Sequence, residues 1–356
     1  MTEIQICKKC LMPETYPGTE FNDEGICNHC LTHIAKEPLG ESEFLKKIES
    51  KVGDHYDCVL GISGGKDSCY VAYLAKAKFK LRALAVCYDF PFLVDLARDN
   101  IKKVCDSLDL DLLVIKSKNN CEYEFMRNHM MSLAATGTTW GQCMFCHYGI
   151  DGVLYNIAMT HDIPFILSGI TRNELWNPGS RTKFLLRRIK KLPINDLLNF
   201  TYRQTKACFN LVDQRRQFPI NGNSSLDVYR RAALPEQGPD LVYVFDYIQW
   251  DQKVIEKTLK EETGWAKPDK ATSWRYDCIL EPLLDYTYLK EFGISTVGLY
   301  LSGLIRSGLI DRDEALDIQK RSENTIYLQK QLDHVLDFLN VPQKIRAKFQ
   351  TTEKSC

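Results

Sequence analysis

The chain has 356 residues, 44% of them hydrophobic and 26% charged, with a formal net charge of zero. That length suits a main domain with one or two smaller units, and the apolar content can fill a sizeable core. Balanced charge disfavours nucleic acid as the main ligand, and no apolar run approaches the roughly 20 residues of a membrane span.

Met1-Thr2-Glu3 is polar and no apolar stretch follows, which reads as no secretion signal and implies a cytoplasmic protein. Fourteen cysteines in a reducing compartment then point to metal rather than disulfides. Residues 1–40 are expected to form a zinc-ribbon-like unit. Cys7 and Cys10 make one CxxC pair, and Cys27 and Cys30 make a second after sixteen intervening residues. Two such knuckles close a tetrahedral four-thiolate site for Zn²⁺. Turn-rich Met12–Pro17 and Asn22–Gly25 lie between them, as a ribbon needs. His29 and His33 are alternative ligands, though four thiols suffice.

Glu41–Lys51 is a short polar helix or linker. Cys58–Ile62 then reads as a buried strand, Ser63-Gly64-Gly65 as a turn, and Lys66-Asp67-Ser68 as the start of a helix running through Ala75. Two glycines let backbone amides approach an anion, and the helix start adds unpaired N–H groups and a positive dipole end. The result is a phosphate cradle that lacks the GxxxxGK[ST] pattern. Ser63-Gly64-Gly65-Lys66-Asp67-Ser68 resembles the PP-loop of the ATP-pyrophosphatase superfamily. That resemblance implies cleavage of ATP between its α- and β-phosphates with adenylation of a substrate.

Leu81–Asp89 reads as a second strand, Leu93–Leu108 as an amphipathic helix and Leu112–Lys116 as a third strand. The alternation predicts an α/β fold with a doubly wound parallel sheet, binding its ligand beyond the carboxyl ends of the strands. Ser63 and Asp89 fall at that edge. The superfamily resemblance puts Tyr88 or Asp89 against the adenosine; a helix cap is the competing role for Asp89. A helix is expected over Glu122–Ala135, a third CxxC at Cys143 and Cys146, a helix from about Tyr148 to His161, and a strand from Phe165. That strand ends in a turn where Gly169 and Thr171 are candidate nucleotide contacts. Thiolating members of the superfamily hold an iron–sulfur cluster with a mid-domain CxxC and one distant cysteine, here Cys278 or Cys208. A second zinc site and plain structural thiols are the alternatives.

Residues 41–180 are thus expected to be the nucleotide-binding domain. Residues 181–295 are an insertion and substrate-pocket region completing it, and residues 296–356 a helical C-terminal region. Arg181–Lys191 is strongly basic, read first as a solvated helix face and second as a clamp for a phosphorylated substrate. Leu241–Asp246 is a strand, followed by Ile248-Gln249-Trp250-Asp251 and a polar helix. Trp274-Arg275-Tyr276-Asp277-Cys278 suits a substrate pocket, and Asp311–Glu314 resembles a capping box.

The N-terminal double CxxC, SGGKDS, the mid-chain CxxC, IQWD, WRYDC and the Ile305-Arg306-Ser307-Gly308 segment leading to Glu314-Ala315-Leu316 together resemble the N-acetyl sugar amidotransferase family over nearly the whole chain. The sequence departs from that family after the fourth strand, where Ser168–Glu174 replaces a tryptophan–glycine–glutamate stretch. The resemblance implies conversion of an acetamido group to an acetamidino group on a nucleotide-linked sugar in bacterial surface-polysaccharide synthesis. ATP adenylates the amide oxygen and ammonia displaces AMP. Lys66 and the loop, Ser63 and Ser68 included, hold the phosphates, and Asp67 positions Mg²⁺ or the loop itself. Asp277 and Arg275 bind substrate or move a proton. With no glutaminase signature in the chain, ammonia is expected from a separate glutaminase subunit with a cyclase-like companion. The competing enzyme is a PP-loop tRNA-modifying one, a thiolase or lysidine-type synthetase.

Overall fold

The computed structural model describes residues 4–51, 53–116, 122–127, 130, 144–171, 238–268 and 277–349. Cys143, Cys208, Arg275 and the basic 181–191 segment lie outside them. The ribbon is held by isolated antiparallel bridges, Ile6 with Pro13 and Phe21 with Cys27, and by a short turn of helix α1 (Asn28–Leu31). Helix α2 (Glu41–Glu49) buries Phe44 and Ile48 and leads into the sheet.

The core of the chain runs β1 (Cys58–Gly61), α3 (Lys66–Tyr73), β2 (Ala83–Asp89), α4 (Asp95–Leu108) and β3 (Asp111–Lys116). It continues with α5 (Met144–Thr160), β4 (Phe165–Ser168), β5 (Asp240–Tyr243) and α6 (Gln252–Thr263). All neighbouring strands pair in parallel, in the order β3-β2-β1-β4-β5. Strand alternation sends one set of side chains to each face. Cys58, Leu60, Ala83, Ala85, Phe165 and Leu167 join the larger core with α3, α4 and α6. Val59, Leu84, Val86 and Ile166 meet Leu154, Tyr155 and Ala158 of α5 on the other face. Both faces are covered by helices, so the expected doubly wound parallel sheet is present. The strand order reverses direction between β1 and β4, which opens a crevice beyond their carboxyl ends.

Several boundaries differ from expectation for local reasons. The helix after the loop ends at Tyr73 and continues as a π-helical stretch over Leu74–Lys78. Strand β5 stops at Tyr243, because the amides of Tyr247 and Ile248 both turn back onto the Val244 carbonyl in a 3₁₀ turn. Helix α5 starts at Met144, four residues earlier than expected, so Cys146 sits in its first turn rather than on a knuckle.

The C-terminal part is helical: α7 (Glu281–Phe292), α8 (Thr296–Arg306), α9 (Arg312–Ser322), α10 (Thr325–Phe338) and α11 (Gln343–Arg346). The anticipated cap at α9 forms, with the Asp311 carboxylate accepting from the Glu314 amide at 2.8 Å. Helix α8 is capped twice. Ser295 Oγ accepts from the Gly298 amide, and Asp285 of α7 accepts from the amides of Thr296 and Val297 and from the Thr296 hydroxyl. Among the described residues no helix is long and apolar enough to cross a membrane.

Asp285 is almost fully buried. Desolvation first, and the nearby Glu281 carboxylate second, push its pKa well above the ordinary 3.8. The folded protein therefore keeps a proton that the unfolded chain releases above pH 3.8, so stability declines as pH rises from there toward the raised value. Asp285→Asn keeps an oxygen for the α8 amides and removes the titration. The expected outcome is an intact fold whose denaturant midpoint depends less on pH across that window, measured by chemical unfolding at several pH values.

Candidate functional site: a phosphate cradle and a four-cysteine centre

Two glycines shape the turn after β1. Gly64 sits at φ +81°, and a Cβ there would lie 2.2 Å from the Ala97 carbonyl oxygen of α4. Only glycine fits both the left-handed backbone and that close approach. The Gly64 carbonyl is then pinned from behind. Trp265 Nε1 donates to it at 2.9 Å and Asn100 Nδ2 at 3.3 Å. Asn100 is buried and fully engaged: its Nδ2 also donates to the Ala266 carbonyl, and its Oδ1 accepts from the Ala266 amide. The carbonyl is thus fixed toward α4 and the 265–266 segment, and on the other side of the same peptide the Gly65 amide donates to Ser63 Oγ at 3.4 Å.

Gly65 is the N-cap of α3 and offers no side-chain cap. The first amides of any helix lack intrahelical partners, so this helix start is an uncapped, positively polarised end at the switch crevice. Ser68 Oγ accepts from the Ser63 amide at 3.1 Å and lies 3.1 Å from both Ser63 Oγ and the Gly65 carbonyl. The two serines therefore brace the loop from within. Gly169, just past β4, packs on the same helix start, where a Cβ would stand 3.0 Å from the Asp67 carbonyl carbon and oxygen. Thr171 follows it, buried. A substitution at Gly169 would thus push on the loop itself.

Lys66 is 2% exposed, and its ammonium donates to Asp67 Oδ2 at 2.7 Å. It also lies 5.6 Å from the centre of the Trp250 ring. Trp250 Nε1 donates to Asp67 Oδ1 at 2.7 Å, so both oxygens of Asp67 are held. The Asp277 carboxylate faces the loop, its Oδ2 standing 3.3 Å from where a Gly65 Cβ would be. Its backbone carbonyl accepts from the Val94 amide, and Cys278 bridges to Leu93, which ties this strip to the carboxyl edge of β2. Ser63, Gly64, Gly65, Lys66, Asp67, Ser68, Gly169 and Asp277 thus meet around the start of α3, and Thr171 lies two residues past Gly169. Asp89 lies at the end of β2, but its oxygens meet Arg98 Nε at 3.0 Å and Lys116 Nζ at 3.4 Å. It is not the helix cap, a position held by Val94.

Asn100 and Trp265 carried no motif and were missed; the weak signal available was an asparagine on the apolar stripe of α4. Trp250 was noted only as part of the IQWD string.

The four N-terminal cysteines converge as expected. Cys7, Cys10, Cys27 and Cys30 are buried and their sulfurs lie within 4.8 Å of one another. Two of the separations are 3.9 Å (Cys7–Cys30) and 3.7 Å (Cys10–Cys27). A tetrahedron of about 2.3 Å Zn–S bonds has an edge of about 3.8 Å, so the set fits one zinc ion, and a four-iron cluster would hold its thiolates farther apart. The amides of Cys10 and Cys27 both point at Cys7 Sγ, as knuckles do. Hydrogen bonds from Cys27 and then Cys30 hold the Cys10 thiol down at about 2, and Cys10 in turn pushes Cys27 up to about 12. Metal-free, the cluster favours the Cys10 thiolate while Cys27 and Cys30 resist ionisation; a cation bound by thiolates offsets that resistance. His29 meets Thr19 and His33 meets Ser307, so neither is needed as a ligand. Arg306, at the end of α8, reaches Cys10 Sγ at 3.7 Å. Cys146 and Cys278 both belong to segments at the carboxyl edge of the sheet.

Comparison with known proteins assigns the class. Residues 41–135 match the family model described as NAD synthase. That segment holds the Ser63–Ser68 loop and strands β1 to β3. An uncharacterized protein of Methanocaldococcus jannaschii is 36% identical over 116 residues, covering 31% of this chain and 42% of its own. A probable sulfurtransferase of the same archaeon is 28% identical over 163 residues, covering 41% and 43% respectively. The chain thus spans less than half the length of these curated relatives. Among solved structures, the NH3-dependent NAD synthetase of Campylobacter jejuni aligns over 47% of this chain and 91% of its own, with 13% identity and a TM-score of 0.29.

Two outcomes follow. Asn100→Ala removes one of the two donors to the Gly64 carbonyl and both bonds to Ala266, and ATP affinity should fall about tenfold, the worth of one or two net hydrogen bonds, in a calorimetric titration. The purified chain should carry one zinc per molecule with an all-sulfur shell by X-ray absorption, and Cys10→Ser should lose it.

Proposed function

We propose that the chain is an ATP-dependent amidotransferase that converts an acetamido group of a nucleotide-linked N-acetylated sugar to an acetamidino group. The observation that carries the reading is the uncapped start of α3 at the switch crevice, with the Gly64 carbonyl pinned and Lys66 buried beside it. The match to NAD synthase supports adenylating chemistry. The sugar rests on the family strings of the whole chain, and the positions of Trp250 and Asp277 beside the loop support their place in the site.

The chemistry follows from an amide being a poor electrophile with a poor leaving group. The loop amides orient the triphosphate so that the amide oxygen meets the α-phosphorus. An O–P bond forms, the α–β bridge breaks and pyrophosphate leaves with the electron pair, while the amide N–H proton is lost. Lys66, released from Asp67, offsets charge on the departing pyrophosphate. Mg²⁺, when bound, neutralises phosphate charge, and Asp67 and Asp277 are the carboxylates beside the loop that would hold it. Ammonia then attacks the imidate carbon and AMP leaves. We assign its supply to a separate glutaminase subunit with a cyclase-like companion; turnover by the purified chain on glutamine alone would sink that assignment.

A second reading, tRNA thiolation, is favoured by the probable-sulfurtransferase relative and by Cys146 and Cys278 at the ligand edge. Incubation with ATP, Mg²⁺, ammonium and nucleotide-linked N-acetylated sugars separates the two. The amidotransferase forms AMP and pyrophosphate with a sugar lighter by about one mass unit, the difference between O and NH, since ammonia replaces the activated oxygen. ADP as product, or sulfur entering tRNA with no change in any sugar, overturns the first reading. Lys66→Ala should lower kcat about a hundredfold or more while leaving the fold intact, since it removes charge stabilisation of the transition state.

A further inference from the structure

One buried acid is not used by this chemistry. Glu122 opens the helical segment 122–127 and is 1% exposed. Its Oε1 accepts from the Tyr88 hydroxyl. Its Oε2 is buried with no hydrogen-bond partner. Leaving a buried carboxylate oxygen unpaired costs free energy, and among the described residues no lysine, arginine or histidine pairs with this group. Tyr88 is the next-to-last residue of β2, and β2 runs beside β1, with Gly61 opposite Val86. The acid is therefore anchored through the Tyr88 side chain to the strand beside the one that leads into the phosphate loop. Its partner Tyr88 is closely packed. Gly149 of α5 presses on the Tyr88 ring, where a Cβ would stand 2.7 Å from Cε1, and Phe90 stacks on Tyr88 at 6.1 Å. Phe125 and Met126, one turn along from Glu122, are buried.

We propose that the free oxygen of Glu122 is the binding site for a small ammonium-type cation, and that Glu122 is the group that converts ammonium to ammonia. The inference rests on the amidotransferase reading for its chemistry. A carboxylate with one oxygen fixed by a phenol and the other unpaired in an apolar wall attracts a cation. Glu122 is 1% exposed, so only a small one can reach it. Ammonium supplies N–H donors for Oε2. Ammonia dissolved at neutral pH is mostly ammonium, which has no lone pair to attack with. In the step, one N–H bond of ammonium breaks with its electron pair staying on nitrogen, and the proton goes to Oε2. The ammonia so formed attacks the imidate carbon. The C–N bond forms, the C–O bond to AMP breaks with its pair going to the phosphate oxygen, and nitrogen's surplus proton leaves with that phosphate.

The test has two arms. Crystals soaked in thallium(I), a heavy-atom probe of ammonium's size and charge, should show anomalous density against Glu122 Oε2. Glu122→Gln crystals should not, and ammonium should displace it. In kinetics, Glu122→Gln should raise the KM for ammonium about ten- to a hundredfold, the worth of a hydrogen bond to a charged group. Hydroxylamine, largely unprotonated at neutral pH, should restore turnover. ATP–pyrophosphate exchange in the presence of sugar should survive in the variant. Thallium absent from Glu122, or exchange lost together with ammonium use, overturns the proposal. Thallium at Glu122 in a protein that amidinates no sugar keeps the cation site and rejects the amidotransferase reading instead.

Discussion

The Gly64 carbonyl is the point on which the nucleotide site depends. A phosphate loop works when its amides face the ligand, and a peptide plane can turn its N–H outward only if its C=O has somewhere to go. Here two side-chain donors, from α4 and from the segment after α6, take that carbonyl. The left-handed φ of Gly64 and the bare N-cap at Gly65 complete the turn. Preorganisation of this kind removes the entropy of ordering the loop from the cost of binding.

The remaining units attach to this point through one helix. Tyr300 of α8 packs edge-on against Trp250, whose indole holds Asp67 next to the loop. One residue pair farther along, Ser302 takes the Leu11 amide, and Arg306 reaches the Cys10 sulfur. Thr15 and Tyr16 meet Phe292 at the end of α7. The four-cysteine ribbon therefore docks on the helices that also buttress the crevice. A small unit of this size has little core of its own, and four thiolates around a cation supply the cohesion it lacks.

The charged groups of the crevice are arranged in opposition. Lys66 is buried, yet it sits between a carboxylate and an aromatic face, both of which favour its charge. Asp277 faces the same loop from the far side. Asp67 and Asp277 are thus two carboxylates beside one loop, with the Lys66 ammonium held by the first.

Local pattern made much of this legible. Apolar runs in β1, β2 and β4 with helices between them implied a parallel sheet, because both faces of such strands must be buried. The spacing of Cys7, Cys10, Cys27 and Cys30 implied one tetrahedral centre, because two knuckles present four sulfurs to a single ion. Ser63 through Ser68 implied a phosphate cradle, because glycines before a helix start expose amides. What the chain order could not show was which distant groups close on that cradle. Asn100 and Trp265 lie tens to hundreds of residues from the loop and carry no local pattern that marks them; Trp250 and Asp277 stand in the IQWD and WRYDC strings, but only the fold sets them beside the loop. Asp89 stands at the carboxyl edge of the sheet, where Arg98 of α4 and Lys116 of the neighbouring β3 meet its oxygens. Strand order and long-range packing decide such contacts, since a side chain's partner is set by what the sheet and helices bring opposite it and not by what precedes it in the chain.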